Sequence, residues 1–472
     1  MGILILLLSF IFIINILLII LILFLEKDDP SSTWAWISIA ALLPLIGFIA
    51  YLFFGLSPRK AQTFQKKRKE DEKQDVIFSS EDKGLQKIES NFDYLEKNII
   101  RAGSYNRKSN AVGCNEIKIY TSGKDKFDDL FQDLKSSEQF IHAQYFSIRD
   151  DEVGNKFINI LTEKAKQGLD IRLIYDSFGS KNLAGKMIEK LETAGGKAYS
   201  FSDNILSFNY RHHRKNVIVD GQIGYIGGIN VGDEYLSRSQ EFGHWRDTHL
   251  RLQGESVDNL QHRFLLDWNF VAGENLLNMN KYFPPKKVTG ESPVQIISSG
   301  PDLREEAIKI LFLKMIYGAE KNIYIQTPYF IPDQTVLEAL ITSARSGIDV
   351  RIMIPNQPDH PFVYAANNSF VEDLLEVGAR CYQYAEGFIH SKTISIDGRI
   401  LSVGTSNMDV RSFKLNFEIN AFIYDSEVAE KYEQIFKEDL ENSNEIIMEE
   451  FKNRDRTMKI KESFSRLLSP IL

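Results

Sequence analysis

One short block occurs twice in this chain, offset by 177 positions. The first copy reads His213-Arg-Lys215, four residues, Asp220-Gly221, then Gly227-Gly228-Ile-Asn230. The second reads His390-Ser-Lys392, four residues, Asp397-Gly398, then Gly404-Thr405-Ser-Asn407. Two copies with identical internal spacing require a fold that builds the same local structure twice. In each, β-rich residues flank an Asp-Gly turn signal, so each block reads as a hairpin. The residue types point to phosphate chemistry. Imidazole can attack phosphorus or pass a proton, while lysine and a side-chain amide can neutralise phosphate oxygens. Facing one another, the blocks would make one phosphate-handling site with two histidines. His213 and Lys215 lie two apart before a strand and share one face, and His212 points the other way as a bystander. His142, His262 and His360 have no repeated context and read as structural. Asp220 and Asp397 keep two open roles, direct catalysis or support of the turn.

The duplication extends beyond the blocks. Phe140-Ile-His-Ala-Gln-Tyr-Phe146 parallels Ile323-Tyr-Ile-Gln-Thr-Pro-Tyr-Phe330, and Gln167-Gly-Leu-Asp-Ile-Arg-Leu173 parallels Ser346-Gly-Ile-Asp-Val-Arg-Ile352. Each half alternates strands with amphipathic helices, which predicts an α/β sandwich with a mixed sheet. The expected division is 1–57 for an apolar N-terminus, 58–110 for a charged connector, 111–280 for the first half and 281–472 for the second. Helix is expected in the connector over Ser79 to Arg101. The Pro-containing stretch 271–295 links the halves.

The N-terminus predicts a transmembrane hairpin. Ile3 to Leu25 carries no charge, and a helix of that length spans roughly 35 Å. Trp34 to Leu56 is a second uncharged run, with Pro44 and Gly47 placed to kink it. The intervening turn holds only Lys27, whereas Arg59, Lys60, Lys66, Lys67, Arg68 and Lys69 follow the second run. That asymmetry puts the turn outside and the large C-terminal part in the cytoplasm of a multi-pass cell-membrane protein. The same basic cluster could attract anionic lipid.

Composition narrows the remaining classes. Among 472 residues, 56 are basic and 64 acidic, a net charge of −8. This argues against bulk nucleic-acid affinity, so no nucleic-acid partner is expected. The two cysteines, Cys114 and Cys381, form no metal-binding or disulfide pattern. At the C-terminus Met458, Ile460, Phe464, Leu467, Leu468, Ile471 and Leu472 alternate with Lys459, Lys461 and Arg466. That pattern suits a helix in the membrane interface or one packed on the domain.

The paired blocks resemble the HxKxxxxD motifs of the phospholipase D superfamily, and the likeness runs from about residue 111 to the C-terminus. Phe242-Gly-His-Trp-Arg-Asp-Thr-His249, Arg411-Ser-Phe-Lys-Leu-Asn-Phe-Glu418 and the N-terminal hairpin look like the bacterial cardiolipin synthases. The resemblance implies two fused phospholipase D-like halves related by a pseudo-two-fold axis. It implies catalysis by His213, Lys215, Asp220, His390, Lys392 and Asp397, with His213 as nucleophile and His390 as acid/base. Asn230 and Asn407 would hold phosphate, and Asp247 and Glu418 would orient the imidazoles. The implied reaction joins two phosphatidylglycerol molecules and releases glycerol, with membrane lipid as partner and with neither cofactor nor metal. Hydrolysis to phosphatidate, transfer to another alcohol, a tethered nuclease and a catalytically dead lipid-binding scaffold are the competing readings.

Overall fold

The computed structural model describes residues 2–25, 30–55, 64–73, 92–107, 109–201, 209–239, 243–287, 290–303, 305–357 and 361–469. The first half contributes β1 (Val112–Ser122), β2 (Phe140–Tyr145), β3 (Asp170–Tyr175), β4 (Lys197–Ser200), β5 (Asn216–Val219), β6 (Ile223–Gly227) and β7 (His244–Gly254). The second contributes β8 (Ser292–Ser299), β9 (Asn322–Gln326), β10 (Phe330–Ile331), β11 (Asp349–Pro355), β12 (Arg380–Tyr384) and β13 (Gly387–Ile389). It continues through β14 (Thr393–Ile396), β15 (Ile400–Gly404), β16 (Met408–Asp409), β17 (Glu418–Ile423) and β18 (Ser443–Glu445).

Sixteen of these strands make one sheet, in the order β18-β12-β11-β9-β14-β15-β17-β8-β1-β7-β6-β5-β2-β3-β4, with β13 paired to β7. Its centre is an antiparallel seam in which Val112 of β1 faces Val294 of β8. Outward from that seam the two wings repeat. One runs β1, β7, β6, β5, β2, β3, β4 and the other β8, β17, β15, β14, β9, β11, β12. The expected halves are therefore present, but they share a single continuous sheet.

Local chemistry explains the repeat. β2–β3–β4 and β9–β11–β12 run parallel, and parallel strands need crossover helices. Glu152–Lys166 and Gln334–Arg345 supply one in each wing. Both begin on an aspartate N-cap: Asp151 accepts from Gly154 N–H at 2.9 Å and Asp333 from Val336 N–H at 3.0 Å. Gly168 and Gly347 follow them, each with φ +90°, a backbone that favours glycine. Every residue of β2 is buried, as expected for a strand covered on both faces. Each wing has its own apolar core, and a third core lies under the seam. That third core joins Leu250, Leu252 and Phe264 to Val403, Phe417 and Ile419.

The N-terminal helix Gly2–Leu25 packs on Pro30–Leu42, where Asn15 Nδ2 donates to Ala40 O at 3.1 Å. The second apolar run breaks at Leu43–Leu45 and resumes as Ile46–Phe54, because Pro44 lacks an N–H and its ring crowds the preceding turn. Residues 26–29, the expected turn, lie outside the described set, as do several side chains of the first helix. Among the described residues no helix is long and apolar enough to cross a membrane.

Helix in the connector falls at 64–73 and at Tyr94–Arg107, and 74–91 lies outside the described residues. The C-terminal helix Arg456–Leu468 presents its polar side inward. Glu462 and Ser465 are buried, whereas Ile460, Phe464 and Leu467 are exposed. It is held by Arg454–Glu462 (2.6 Å) and by Arg466 donating to Ser369 O (2.8 Å).

Candidate active site

The two motif blocks form the hairpins β5–β6 and β14–β15. At their turns Asp220 and Asp397 take positive φ, 51° and 57°, a conformation that aspartate tolerates better than most residues. The Asp220 carboxylate accepts the backbone N–H groups of Glu138, Gln139 and Phe140, each at 2.8 Å. Asp397 accepts those of Glu320, Lys321 and Asn322 at 2.8, 2.7 and 2.9 Å. Both carboxylates therefore sit at the far end of a strand from the histidines and pin the entry of β2 and β9. Their oxygens are committed to main-chain amides, and of the two open roles the turn is the one the geometry gives them.

The histidines stand at the other end of the hairpins, across the seam. His213 N–H donates to Phe417 O (3.0 Å), and His390 N–H to Arg246 O (2.7 Å), so each motif is docked on the opposite half. The carboxylates are crossed in the same way. His213 Nδ1 lies 2.9 Å from both oxygens of Glu418, a residue of the second half. His390 Nδ1 lies 2.7 Å from Asp247 Oδ2, in the first half. A carboxylate on Nδ1 fixes the tautomer and leaves Nε2 for the substrate. Both imidazoles are 11 % exposed, so little more than one edge of each ring meets solvent.

His213 and His390 line one cleft of about 660 Å³ together with Asn230, Asn407, Phe146 and Trp245. Lys215 Nζ donates to His213 O (2.7 Å) and Lys392 Nζ to His390 O (2.5 Å), which folds each lysine back on its own motif. Asn230 is tied in place, its Oδ1 accepting Ser147 N–H (3.2 Å) and its Nδ2 donating to Tyr235 Oη (2.7 Å). Asn407 Oδ1 is buried without a partner. His212 turns away, stacked on Phe201 at 4.2 Å and bonded to Gln144. His142 is buried against Phe264 and Gln261, and His360 lies outside the described residues.

Burial dominates the electrostatics. It lowers the pKa of His213, aided by Lys215 and opposed by Glu418. It lowers His390 to about 3, aided by Lys392 and opposed by Asp247. Lys215 is pushed down to about 7 by burial and Lys392, against the pull of Glu418 and Asp247. Glu418 is raised by burial but carried below its ordinary value by His213 and Lys215. Burial therefore favours the uncharged forms of both imidazoles and of Lys215.

A layer of charge lies behind these groups that sequence reading did not find. Arg214, between His213 and Lys215, points inward; it pairs with Asp267 and donates to Glu418 O at 3.1 Å. The alternation that sets His213 and Lys215 on one face puts Arg214 on the other, and that was the available signal. Arg246 plays a similar part for the second motif, reaching Asp439 (2.7 Å) and Ser391 Oγ (3.0 Å). The connector enters here too. Lys67 is 1 % exposed and meets Asp71, Asp267 and Asp302 at 2.6, 3.3 and 3.2 Å, and Phe64 packs on Tyr210 and Phe417. Lys67 therefore leaves the expected lipid-facing cluster. Lys66 and Arg68 pair along their own helix, while Arg59 and Lys60 lie outside the described residues.

Comparison with known proteins follows this geometry. The family model described as cardiolipin synthase, PLD-like domain, matches residues 130–268 and 312–440, one segment per wing. A phospholipase D-nuclease N-terminal model matches 13–55. The cardiolipin synthase of Staphylococcus aureus is 46% identical, covering 95% of this chain and 92% of its own. The major cardiolipin synthase of Bacillus subtilis is 45% identical over 95% of each. The crystal structure of phosphatidylserine synthase from Haemophilus influenzae covers 79% of this chain and 100% of its own at 14% identity and TM-score 0.62, a likeness of fold. With its motifs, crossed histidine–carboxylate pairs and near full-length relatives in agreement, the chain belongs to the cardiolipin synthase family of the phospholipase D superfamily.

Proposed function

We propose that the cleft condenses two phosphatidylglycerol molecules to cardiolipin and glycerol through a phosphohistidine. One histidine, neutral, attacks the donor phosphorus through Nε2, and the bond to the glycerol headgroup breaks as the other, which enters the step as imidazolium once the anionic phosphate is bound beside it, gives its Nε2 proton to the departing alkoxide. That imidazole then takes the proton of the second lipid's terminal hydroxyl, whose oxygen attacks phosphorus and frees the first histidine. Lys215, Lys392, Asn230 and Asn407 hold the phosphate oxygens. Asp247 and Glu418 keep the two rings in register. The observation that carries this reading is the pair of imidazoles in one cleft, each held through Nδ1 by a buried carboxylate of the opposite half.

The enzyme works at a membrane. In this reading the two uncharged runs, 3–25 and 34–56, anchor the chain in the bilayer as a hairpin, with the wings on the cytoplasmic side. The charge-free first helix, its contact with the second run and the basic residues that follow support this arrangement. The outward apolar edge of Arg456–Leu468 supports a second lipid contact.

The test is product analysis. Purified full-length protein is incubated in phosphatidylglycerol vesicles with a chelator. Cardiolipin with released glycerol is expected. Phosphatidate would identify water as the acceptor, and dependence on a divalent ion would contradict the site as described.

A further inference from the structure

The supports behind the two histidines differ in origin. Behind His390 they come from the wings. Arg246, whose carbonyl accepts His390 N–H, pairs with Asp439 at 2.7 Å, and Gln326 Nε2 donates to the same carboxylate at 2.7 Å. Behind His213 a third segment enters, the connector helix at 64–73. Phe64 is 7 % exposed and Lys67 1 %. Phe64 lies edge-on to Phe417 at 5.2 Å, and Phe417 O accepts His213 N–H at 3.0 Å. Lys67 Nζ stands 6.0 Å from the centre of the same ring, and the Arg214 guanidinium 5.4 Å.

A second route runs through charge. Lys67 meets Asp267 at 3.3 Å. Asp267 pairs with Arg214, and Arg214 Nε donates to Glu418 O at 3.1 Å. Glu418 in turn holds His213 Nδ1 at 2.9 Å. Lys67, Asp267, Arg214 and Glu418 are all buried. Burial alone would raise the pKa of Asp267, but Arg214, Arg263 and Lys67 hold it well below the usual carboxylate range. It therefore stays the anion that anchors Arg214. Removing one partner from such a buried network leaves the others uncompensated. The second apolar run ends its helix at Gly55. Phe64 follows nine residues later, on a tether of at most about 32 Å.

We propose, resting on the phosphatidylglycerol reading and the membrane anchoring given above, that Phe64 and Lys67 are positioning residues for the His213–Glu418 pair. Turnover then requires the connector helix to be docked under the seam. Neither residue lines the cleft. Phe64 braces Phe417, whose carbonyl holds the main chain of His213. Lys67 fixes Asp267, and through it the Arg214 contact on the main chain of Glu418. Groups that hold the partner of a catalytic ring set that ring's orientation and tautomer. The connector thus ties the state of one histidine, and not the other, to the segment that joins the wings to the membrane.

Glycerol release by full-length protein in phosphatidylglycerol vesicles reports donor turnover whatever the acceptor, and kcat is expressed per folded molecule. Lys67→Met and Phe64→Leu are each expected to lower kcat by about tenfold with KM little changed. Lys67→Arg, which keeps the cation, is expected to recover part of the loss. Made in Glu418→Gln, the same two changes are expected to lower the remaining rate by less than about twofold, because the pair they support is already broken. Made in Asp247→Asn, they are expected to keep their full effect. Equal losses in all three backgrounds would reduce the connector to general support of the fold and overturn the positioning role. So would a kcat within about twofold of wild type. Phe64→Leu leaves the charges in place, so it decides the matter if Lys67→Met does not fold. Phosphatidate in place of cardiolipin would overturn only the choice of acceptor, and the same ratios would still decide the positioning role. Wild-type protein that releases no glycerol would overturn the phosphatidylglycerol reading, and the positioning role with it.

Discussion

One carboxylate holds each imidazole of the cleft. Glu418 and Asp247 hold His213 and His390 through Nδ1, so the amide variants should misorient the rings or stabilise the wrong tautomer. Glu418→Gln is expected to lower kcat by about 10²–10⁴-fold with KM little changed. A loss of only a few fold in steady-state kinetics would remove the orienting role. His213→Ala and His390→Ala should each abolish turnover without changing the circular dichroism spectrum, and substantial residual activity in either would end the two-histidine mechanism. Lys215, with its pKa pushed down to about 7, loses its charge as pH rises through that value in the empty site. We therefore expect kcat/KM, which reports the free enzyme, to fall on the alkaline side from about pH 7. A profile that stays flat to pH 9 would show that the lysine keeps its proton.

At the scale of elements, the hairpin turns and the connector helix hold buried or main-chain polar groups in place. Asp220→Ala strips an acceptor from three backbone N–H groups. It should cost about 1–3 kcal/mol of stability, while kcat per folded molecule stays near wild type. The opposite pattern, a full melting temperature with lost turnover, would restore Asp220 to the catalytic group. Lys67→Met leaves Asp267 and Asp302 without a cation that now lies within 3.3 Å of both. A loss of about 3–5 kcal/mol is expected from breaking one side of so buried a network. Unchanged thermal unfolding would mean that the helix at 64–73 is not docked as described.

One sixteen-stranded sheet joins the two wings at the scale of the whole molecule, and the response to acid follows from what lies inside. His142, His262 and His390 are buried, and burial lowers each to about 3. An unfolded histidine takes its proton near pH 6.5. Between those values the unfolded chain binds more protons than the folded one, so stability falls as pH drops from about 6.5 towards 3 and is unaffected by these groups above that window. Melting temperatures measured from pH 7 down to 4 should decline steadily, and a flat series would contradict the buried neutral state.

The chain's own order of residues determined the repeat, the hairpins and the alternation of strands with helices, and it singled out the two histidines that share the cleft. Each depends on spacing along the chain or on alternation, and a one-dimensional pattern records both. Tertiary structure decided the rest. The supporting role proposed for Asp220 shows only in the three amides it accepts, which lie some eighty positions away in sequence. The crossing of Glu418 to His213 and Asp247 to His390 arises because β1 and β8 join the wings antiparallel, which brings each motif against the other half's strand. Lys67 read as one more basic residue in a flanking cluster, and the third core under the seam had no signature at all. A contact between distant segments leaves no period in sequence, so folding alone could show which charges are buried together.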